Sequence, residues 1–187
     1  MKTQINKTLT PIAAPAVVVS VGDWDNANLI TLAWVGRIVS DPPTMSISIR
    51  PSRHSYSLIE ELGEYVINIP FSKNVEQVDF CGTRTGKKVD KWDILNLTKE
   101  KATKVSVPLI KEFPINIECK VVKTLEIGTH MVYLGEVHAV NIEEYLLDNG
   151  ELDPKKQNQL VYIPRNYYTL KGTIERQGFS TKSNFHH

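Results

Sequence analysis

A long pair of alternating segments in the second half of the chain constrains its fold more than any other feature. Between Ile115 and Val121, in "INIECKV", every second side chain is apolar, which is the period of a β-strand buried on one face. A turn containing Gly128 follows, and a second strand-forming segment, "HMVYLGEVHAVNIEE", begins at His130. The two segments therefore predict a long antiparallel β-hairpin.

Shorter strand signals dominate the first half of the chain. They are "PAVVVSV" (15–21), "LITLAWVGRIV" (29–39), "TMSISI" (44–49) and "YVINIP" (65–70). Two helices are predicted, one over 53–62 that ends at Gly63 and one over 72–82 with Ser72 as its N-cap and Gly82 at its end. About six strands with two short helices indicate a mainly β fold, a closed antiparallel barrel with helices packed on it.

The segment from 83 to 114 shows little sustained periodicity. A stretch of this length is typical of a functional or partly ordered loop. The chain shows neither an internal repeat nor a low-complexity linker, and its 187 residues are enough to bury one core. We therefore expect a single domain over 1–187.

The charge balance and the cysteines limit the possible function classes. The chain has 22 Lys and Arg against 21 Asp and Glu, a formal net charge of +1, which disfavours nucleic acid or a membrane surface as partner. It lacks an apolar signal segment before Pro11 and a run of roughly 18 apolar residues, so we expect a cytoplasmic protein. Free buried thiols at Cys81 and Cys119 are favoured over a disulfide. We assign no function to His186 and His187, which resemble the remnant of a purification tag.

The segment "RPSRHS", residues 50–55, joins a strand to a helix and is rich in cations and hydroxyl groups. A helix N-terminus presents unpaired N–H groups and the positive end of the helix dipole, so it suits an anion such as phosphate. Arg50 and Arg53 can add bidentate contacts. Ser46 and Ser48 share a strand face with Arg50 and extend the groove. The alternative is that a serine caps the helix and the arginines are solvated.

Two further segments carry candidate ligand contacts. In "NLITLAW" (28–34) the small residues Thr31 and Ala33 would let a flat ring approach the backbone; the alternative is an ordinary strand with a packed Trp34. In "CGTRTGKKVDKW" (81–92) two glycines free the backbone and four cations supply charge. Its spacing is not that of a P-loop, so a ligand clamp and a solvated basic loop both stay open.

A lone histidine, His130, opens the second strand of the predicted hairpin. Such a histidine is more often packed or solvated than catalytic. The sequence shows no Ser-His-Asp order, no HExxH motif and no cysteine pair with metal spacing, which disfavours hydrolysis and a catalytic metal.

Three segments together resemble a known family. They are "NANLITLAWVGRIVSDPPTMSISIRPSRHSYSLIEELGEYVINIP", "DFCGTRTGKKVDKW" and "PINIECKVVKTLEIGTHMVYLGEVHAV". In this order and spacing they are similar to the flavin reductase-like FMN-binding proteins, and within them to the flavoredoxin branch. The resemblance covers about residues 14–168. It implies a six-stranded antiparallel split β-barrel that forms a homodimer and holds FMN noncovalently near the subunit interface.

The resemblance also implies roles for particular residues. Residues 31–34 would lie along the isoalloxazine ring, and the charged segment would hold the ring edge, the ribityl chain and the phosphate. Tyr162, Tyr167 and Tyr168 would cover the ring, and His130 would lie near the flavin as a candidate catalytic residue. The implied cofactor-binding residues are Thr31, Leu32, Ala33, Trp34, Ser48, Ile49, Arg50, Arg53, His54, Ser55, Cys81, Gly86, Lys87 and Lys91.

The function that the resemblance implies is electron transfer through bound FMN. NADH or NADPH would be the donor, and free flavin, a ferric chelate or a protein would be the acceptor. The sequence has no Rossmann G-x-G-x-x-G motif, so a nicotinamide would stack directly on the flavin. The alternative is a carrier that is not an enzyme and passes electrons between protein partners. A barrel that has lost FMN is disfavoured by the intact arginine and serine set.

Overall fold

The computed structural model describes residues 1–170, 172–175 and 177, and it is mainly β. His186 and His187 lie outside the described residues. The helices are α1 (His54–Leu62), α2 (Val75–Thr83) and α3 (Lys91–Ile94), with 3-10 turns at Ser72–Asn74, Glu144–Leu146 and Pro154–Lys156. The strands are β1 (Ala14–Pro15), β2 (Val17–Val21), β3 (Asn28–Leu32), β4 (Val35–Ser40), β5 (Pro43–Ile49), β6 (Glu64–Ile69), β7 (Lys99–Glu100), β8 (Leu109–Ile110), β9 (Ile115–Ile127), β10 (His130–Ile142), β11 (Leu147–Asp148), β12 (Glu151–Leu152), β13 (Leu160–Ile163) and β14 (Asn166–Thr169).

The main sheet confirms the expected split barrel and has one strand more than the six expected. Its order is β3-β2-β6-β9-β10-β5-β4, and every neighbouring pair is antiparallel. The edge strands β3 and β4 are consecutive in the chain but are not paired with each other, so the sheet stays open. The closed barrel that the strand pattern alone predicts is therefore wrong. A three-stranded sheet, β1-β13-β14, lies beside it.

The prediction of one continuous strand over 29–39 is wrong. The strand is interrupted at Ala33 and Trp34, because the chain changes its pairing partner there. Leu32 pairs with Val17 of β2, whereas Val35 pairs with Ile47 of β5. The break places Ala33 and Trp34 at the split between the two edges of the sheet.

The predicted long hairpin is confirmed as β9 and β10. Pairing runs from His130 opposite Ile127 to Ile142 opposite Ile115, with a register shift between Leu134 and Gly135. A Cβ atom at position 135 would overlap the phenol group of Tyr65, so only glycine fits there.

The two helices predicted from the sequence are present, with one corrected start. Helix α1 ends at Gly63 in the left-handed conformation (φ 67°), as predicted. Ser72 is not the N-cap of the second helix, because a 3-10 turn intervenes in which the Asn74 side chain accepts a hydrogen bond from the backbone N–H of Phe71. Gly82 lies inside α2, where a Cβ atom would stand 3.2 Å from Cβ of Thr31. It allows the close approach of α2 to β3.

One buried carboxylate anchors residues 103–105, in the long segment before β9. Glu118 is fully buried and accepts hydrogen bonds from the backbone N–H groups of Thr103 (2.9 Å), Lys104 (2.6 Å) and Val105 (3.2 Å), and from the Asn141 amide (2.7 Å). Burial alone would raise the pKa of Glu118, but these donors together hold it below its usual value. The segment also contains α3, β7 and β8, and the Asn68 side chain holds it at a second point by accepting from the Ile110 N–H (3.1 Å).

Strand β2 is buried on both faces, which explains its continuous apolar run. Val17 and Val19 belong to the core shared with α1, whereas Val18 belongs to the core shared with α2 and α3. Both cysteines, Cys81 and Cys119, are buried and free, as the sequence predicts. Within the described part of the chain, no helix is long and apolar enough to cross a membrane.

Candidate functional site

A cavity of about 440 Å³ lies along β3. The first residues of α1, the last residues of α2, the end of β5 and the start of β10 surround it, and the β13–β14 hairpin adds one wall. This volume is in the range of small-molecule and cofactor sites. The described lining residues are Ala16, Asn28, Ile30, Thr31, Leu32, Ala33, Trp34, Ser48, Ile49, Arg50, Arg53, His54, Ser55, Cys81, Gly82, Thr83, Arg84, Thr85, Gly86, Lys91, His130, Tyr162 and Tyr167.

The N-terminus of α1 opens onto this cavity without a side-chain cap. Its N-cap residue, Arg53, makes no capping hydrogen bond. Ser55 is buried, and its Oγ accepts a hydrogen bond of 2.8 Å from Nδ2 of Asn28, so the serine proton is left to donate. The alternative that a serine caps this helix is therefore wrong, although its second part holds, since Arg50 and Arg53 are exposed. The helix begins at the cavity wall without a side-chain cap.

The loop after α2 packs against the same helix start. A Cβ atom at position 86 would overlap Oδ1 of Asn28 and lie 2.9 Å from Cδ2 of His54. Only glycine allows this approach, which brings Arg84 and Thr85 to the cavity wall.

Lys91 is a buried cation in the wall of the cavity. It is only 3% exposed, and its Nζ donates to the carbonyl oxygens of Leu29 (2.6 Å) and Cys81 (2.7 Å). Burial lowers the pKa of Lys91, Cys81 raises it and Arg53 lowers it further. An ammonium group has three protons, so the third is left for a ligand in the cavity.

Cys81 lines the cavity as a neutral thiol. Burial raises its pKa to about 12, although the charge of Lys91 acts in the opposite direction. A thiol with so high a pKa is not a nucleophile at neutral pH.

His130 is held between two neighbours at the mouth of the cavity. Nε of Arg50 lies 3.4 Å from its Nε2, and Oγ1 of Thr129 lies 3.0 Å from its Nδ1. An arginine can only donate, so Nε2 of His130 is the acceptor in the contact with Arg50.

The structure brings together almost all of the residues that the sequence analysis selected. Of the fourteen expected cofactor-binding residues only Lys87 does not line the cavity; the chain turns back there, with Lys88 N–H donating to the carbonyl of Thr85, and Lys87 is exposed. Tyr162 and Tyr167 line the cavity, whereas Tyr168 faces away, since alternate residues of β14 point to opposite sides.

Sequence reasoning missed several lining residues. Asn28 is the most important of them, because it joins β3 to α1 through Ser55. The sequence feature that could have identified Asn28 is a polar side chain at the first position of a buried strand. Arg84, considered as part of a basic loop, also lines the cavity.

Comparison with known proteins assigns the chain to a family. Residues 9–171 match the family model of the flavin reductase like domain, which is most of the chain. The chain belongs to the flavin reductase-like family, and its structural similarity places it in the flavoredoxin branch.

Two solved flavoredoxins are similar over almost the whole chain. Flavoredoxin of Desulfovibrio vulgaris (Miyazaki F) is 30% identical, with a TM-score of 0.90 over 97% of this chain and 100% of that one. Flavoredoxin from Methanosarcina acetivorans is 31% identical, with a TM-score of 0.88 over 98% of both chains.

Curated relatives match over shorter segments. A protein of Archaeoglobus fulgidus without an assigned function is 38% identical over 113 residues, 60% of this chain and 64% of the relative. A ferric-chelate reductase (NAD(P)H) of the same organism is 25% identical over 104 residues, 54% of this chain and 60% of the relative. The matched segments thus span less than two thirds of the length of these two relatives.

Proposed function

We propose that this protein is an FMN-dependent oxidoreductase, which binds FMN noncovalently in the cavity along β3 and passes electrons from NADH or NADPH to an acceptor. The family and the similar flavoredoxin structures support the broader function, which is flavin-linked electron transfer. The observation that carries the proposal is the convergence of the uncapped α1 N-terminus, Arg53 and Lys91 on one cavity.

The helix start suits the phosphate of FMN. Uncapped N–H groups, the positive dipole end and the Ser55 hydroxyl can each donate to phosphate oxygens. Arg53 and Lys91 supply two cations for a group that carries a charge of about −1.5 to −2 at neutral pH. Riboflavin lacks this group and would lose these contacts.

The remaining walls suit a flat ring. Residues 31–34 follow the edge of the sheet, and the aromatic rings of Tyr162 and Tyr167 lie 5.9 Å apart on the opposite hairpin. Trp34 is half exposed at the split in the sheet. When bound, the flavin supplies the hydride and electron chemistry, and the protein holds and orients it. His130, the candidate catalytic residue, would then also orient Arg50 at the mouth of the cavity.

A second candidate function is an electron carrier that is not an enzyme. The near-complete overlap with two flavoredoxins favours it. The ferric-chelate reductase relative, whose printed name includes NAD(P)H, favours the reductase. Both candidates use the same flavin site, and they differ in the electron donor.

We also propose that the protein forms a homodimer, and that an apolar sheet face next to the site forms the interface. Ser48, a cavity residue, pairs with Val132, which pairs with Leu125, so the three side chains share one face. Leu125 and its neighbour on that face, Ile127, are exposed, the latter by 62%. Sedimentation should show a dimer that Ile127→Asp weakens, and a monomeric wild-type protein would contradict the proposed dimer.

We further propose a cytoplasmic location, with which the free thiols are consistent.

An anaerobic reduction experiment tests the proposal. The purified protein is loaded with FMN, and NADH and NADPH are added in separate cuvettes without oxygen while the visible spectrum is recorded. Bleaching within seconds by either nucleotide supports the reductase. Bleaching by dithionite alone supports the carrier, and failure to bind FMN contradicts both.

A further inference from the structure

The cavity wall carries more positive charge than one flavin phosphate needs. Arg50, Arg53, Arg84 and Lys91 all line it, and none of its described lining residues is an aspartate or a glutamate. Among the described residues, these four cations take part in no ion pair within 4.0 Å. A phosphate monoester carries a charge of about −1.5 to −2, so it leaves roughly two cations uncompensated.

Two of the four cations lie together, and the other two lie apart from them. Arg53 is at the N-cap of α1 and is close enough to Lys91 to act on its pKa, after the larger effect of burial. These two meet at the helix start proposed for the flavin phosphate. Arg50 instead lies beside His130, and the Arg84 guanidinium lies 6.0 Å from the ring centre of Phe80 at the end of α2.

The loop that carries Arg84 also has a hydroxyl group whose proton is not used within the protein. The Thr83 hydroxyl is used within α2, where it donates to the carbonyl of Asp79 (2.9 Å). Thr85 differs: its Oγ1 accepts a hydrogen bond from the Lys87 N–H (3.4 Å), so its own proton stays available at the cavity wall. Arg84 and Thr85 thus present a guanidinium and a hydroxyl donor side by side.

We infer that the cavity binds two anionic groups at once, and that Arg84 holds the second one, which belongs to the small-molecule electron partner. This rests on the proposed function. The partner is then an oligoanion that carries phosphate or carboxylate groups; a dinucleotide diphosphate and a carboxylate chelate of ferric iron share this chemistry. A cationic cavity also raises the rate of encounter with such a partner at low salt.

The test uses the FMN-loaded protein and two simple anions. Inorganic pyrophosphate and citrate are titrated separately into the complex at low ionic strength and followed by calorimetry, and the tighter anion indicates the class of partner. We expect at least one to bind while FMN stays bound. Arg84→Gln should weaken that binding about tenfold or more, as loss of a charged hydrogen bond would. Arg84→Lys should restore part of it.

Lys88→Gln is the matched control. It removes one positive charge from the same loop, at an exposed position outside the cavity wall, and it should change anion binding less than twofold. FMN affinity of Arg84→Gln should stay within threefold of wild type.

Four results would overturn the inference while the flavin site stands. They are displacement of FMN by the anion, no binding of either anion, equal effects of the Arg84 and Lys88 variants, and loss of FMN binding in Arg84→Gln. Failure of the wild-type protein to bind FMN would overturn the proposed function and the inference together.

Discussion

Lys91 donates a hydrogen bond of 2.7 Å from Nζ to the backbone carbonyl oxygen of Cys81, and a second one of 2.6 Å joins it to Leu29. One buried ammonium thus ties α3 to the end of α2 and to the start of β3. The same group lines the cavity, so it links the stability of the fold to the binding of a ligand.

Lys91→Met should therefore lower both properties. Two buried carbonyl groups lose their donor, which predicts a loss of about 1–3 kcal/mol in the free energy of unfolding. FMN affinity should fall about tenfold or more, since a charged contact to the phosphate is lost. Urea unfolding and a fluorescence titration with FMN measure the two effects. Lys88→Met, an exposed control in the loop before α3, should change neither property. Equal behaviour of the two variants would contradict the assignment.

Gly86→Ala should damage the site through packing. A methyl group at this position overlaps Oδ1 of Asn28, so the loop or the Asn28–Ser55 hydrogen bond must shift, at a cost of about 1–3 kcal/mol. We expect weaker FMN binding together with lower stability. Gly36→Ala is the control, because its nearest neighbour, Oγ of Ser46, is 3.8 Å away. Wild-type FMN affinity in Gly86→Ala would show that this contact does not shape the cavity.

Glu118 should determine part of the acid sensitivity of the protein. Its pKa is lower in the folded chain than in the unfolded chain, so its contribution to stability is complete above the unfolded-state pKa of about 4.3 and is lost as pH falls through the folded-state pKa. Glu118→Gln should remove about 2 kcal/mol or more near pH 7, because several donors lose a charged acceptor. It should also flatten the acid side of the stability curve.

Thermal unfolding from pH 3 to pH 8 checks this prediction. Glu126→Gln, at an exposed position of the same strand, is the control and should follow the wild-type curve. A Glu118→Gln protein that keeps the wild-type pH dependence would disprove the role of this carboxylate.

Both thiols should resist modification in the folded protein. Burial raises the pKa of Cys81 and of Cys119 to about 12, so neither is a thiolate at pH 8. A colorimetric thiol reagent should detect almost no fast reaction in the native state and two thiols per chain in urea. Rapid labelling of a native thiol at pH 8 would contradict the described burial.

Local patterns in the sequence predict the hairpin and the end of α1 at Gly63, whereas most residues of the cavity wall came from the family resemblance. Local patterns failed where contacts between distant parts of the chain determine the structure. The break at Ala33 and Trp34 has no local signal, since the residues on both sides favour strands and only the change of pairing partner separates them. The local pattern shows Lys91 only as one lysine of a basic loop. Its buried position depends on its contact with Leu29, 62 residues away in the sequence.

Glu118 shows the same limit for the core. Alternation along β9 predicts its side chain on the solvent side of the strand, next to the apolar Ile117 and Cys119. The side chain does point to that side, but the segment around Thr103 folds over it and buries it completely. Periodicity identifies the faces of a strand, whereas burial depends on which segment covers each face.

The most direct test of the central claim compares FMN with riboflavin, which differ only in the phosphate. Both are titrated into the wild-type protein and into Arg53→Gln, with flavin fluorescence as the readout. We expect FMN to bind wild type about 100-fold or more tightly than riboflavin, because two or more charge-assisted contacts hold the phosphate. Arg53→Gln should lose about tenfold of this preference. Affinities for the two flavins within threefold of each other in the wild-type protein would contradict the assignment of the α1 N-terminus, Arg53 and Lys91 as a phosphate site.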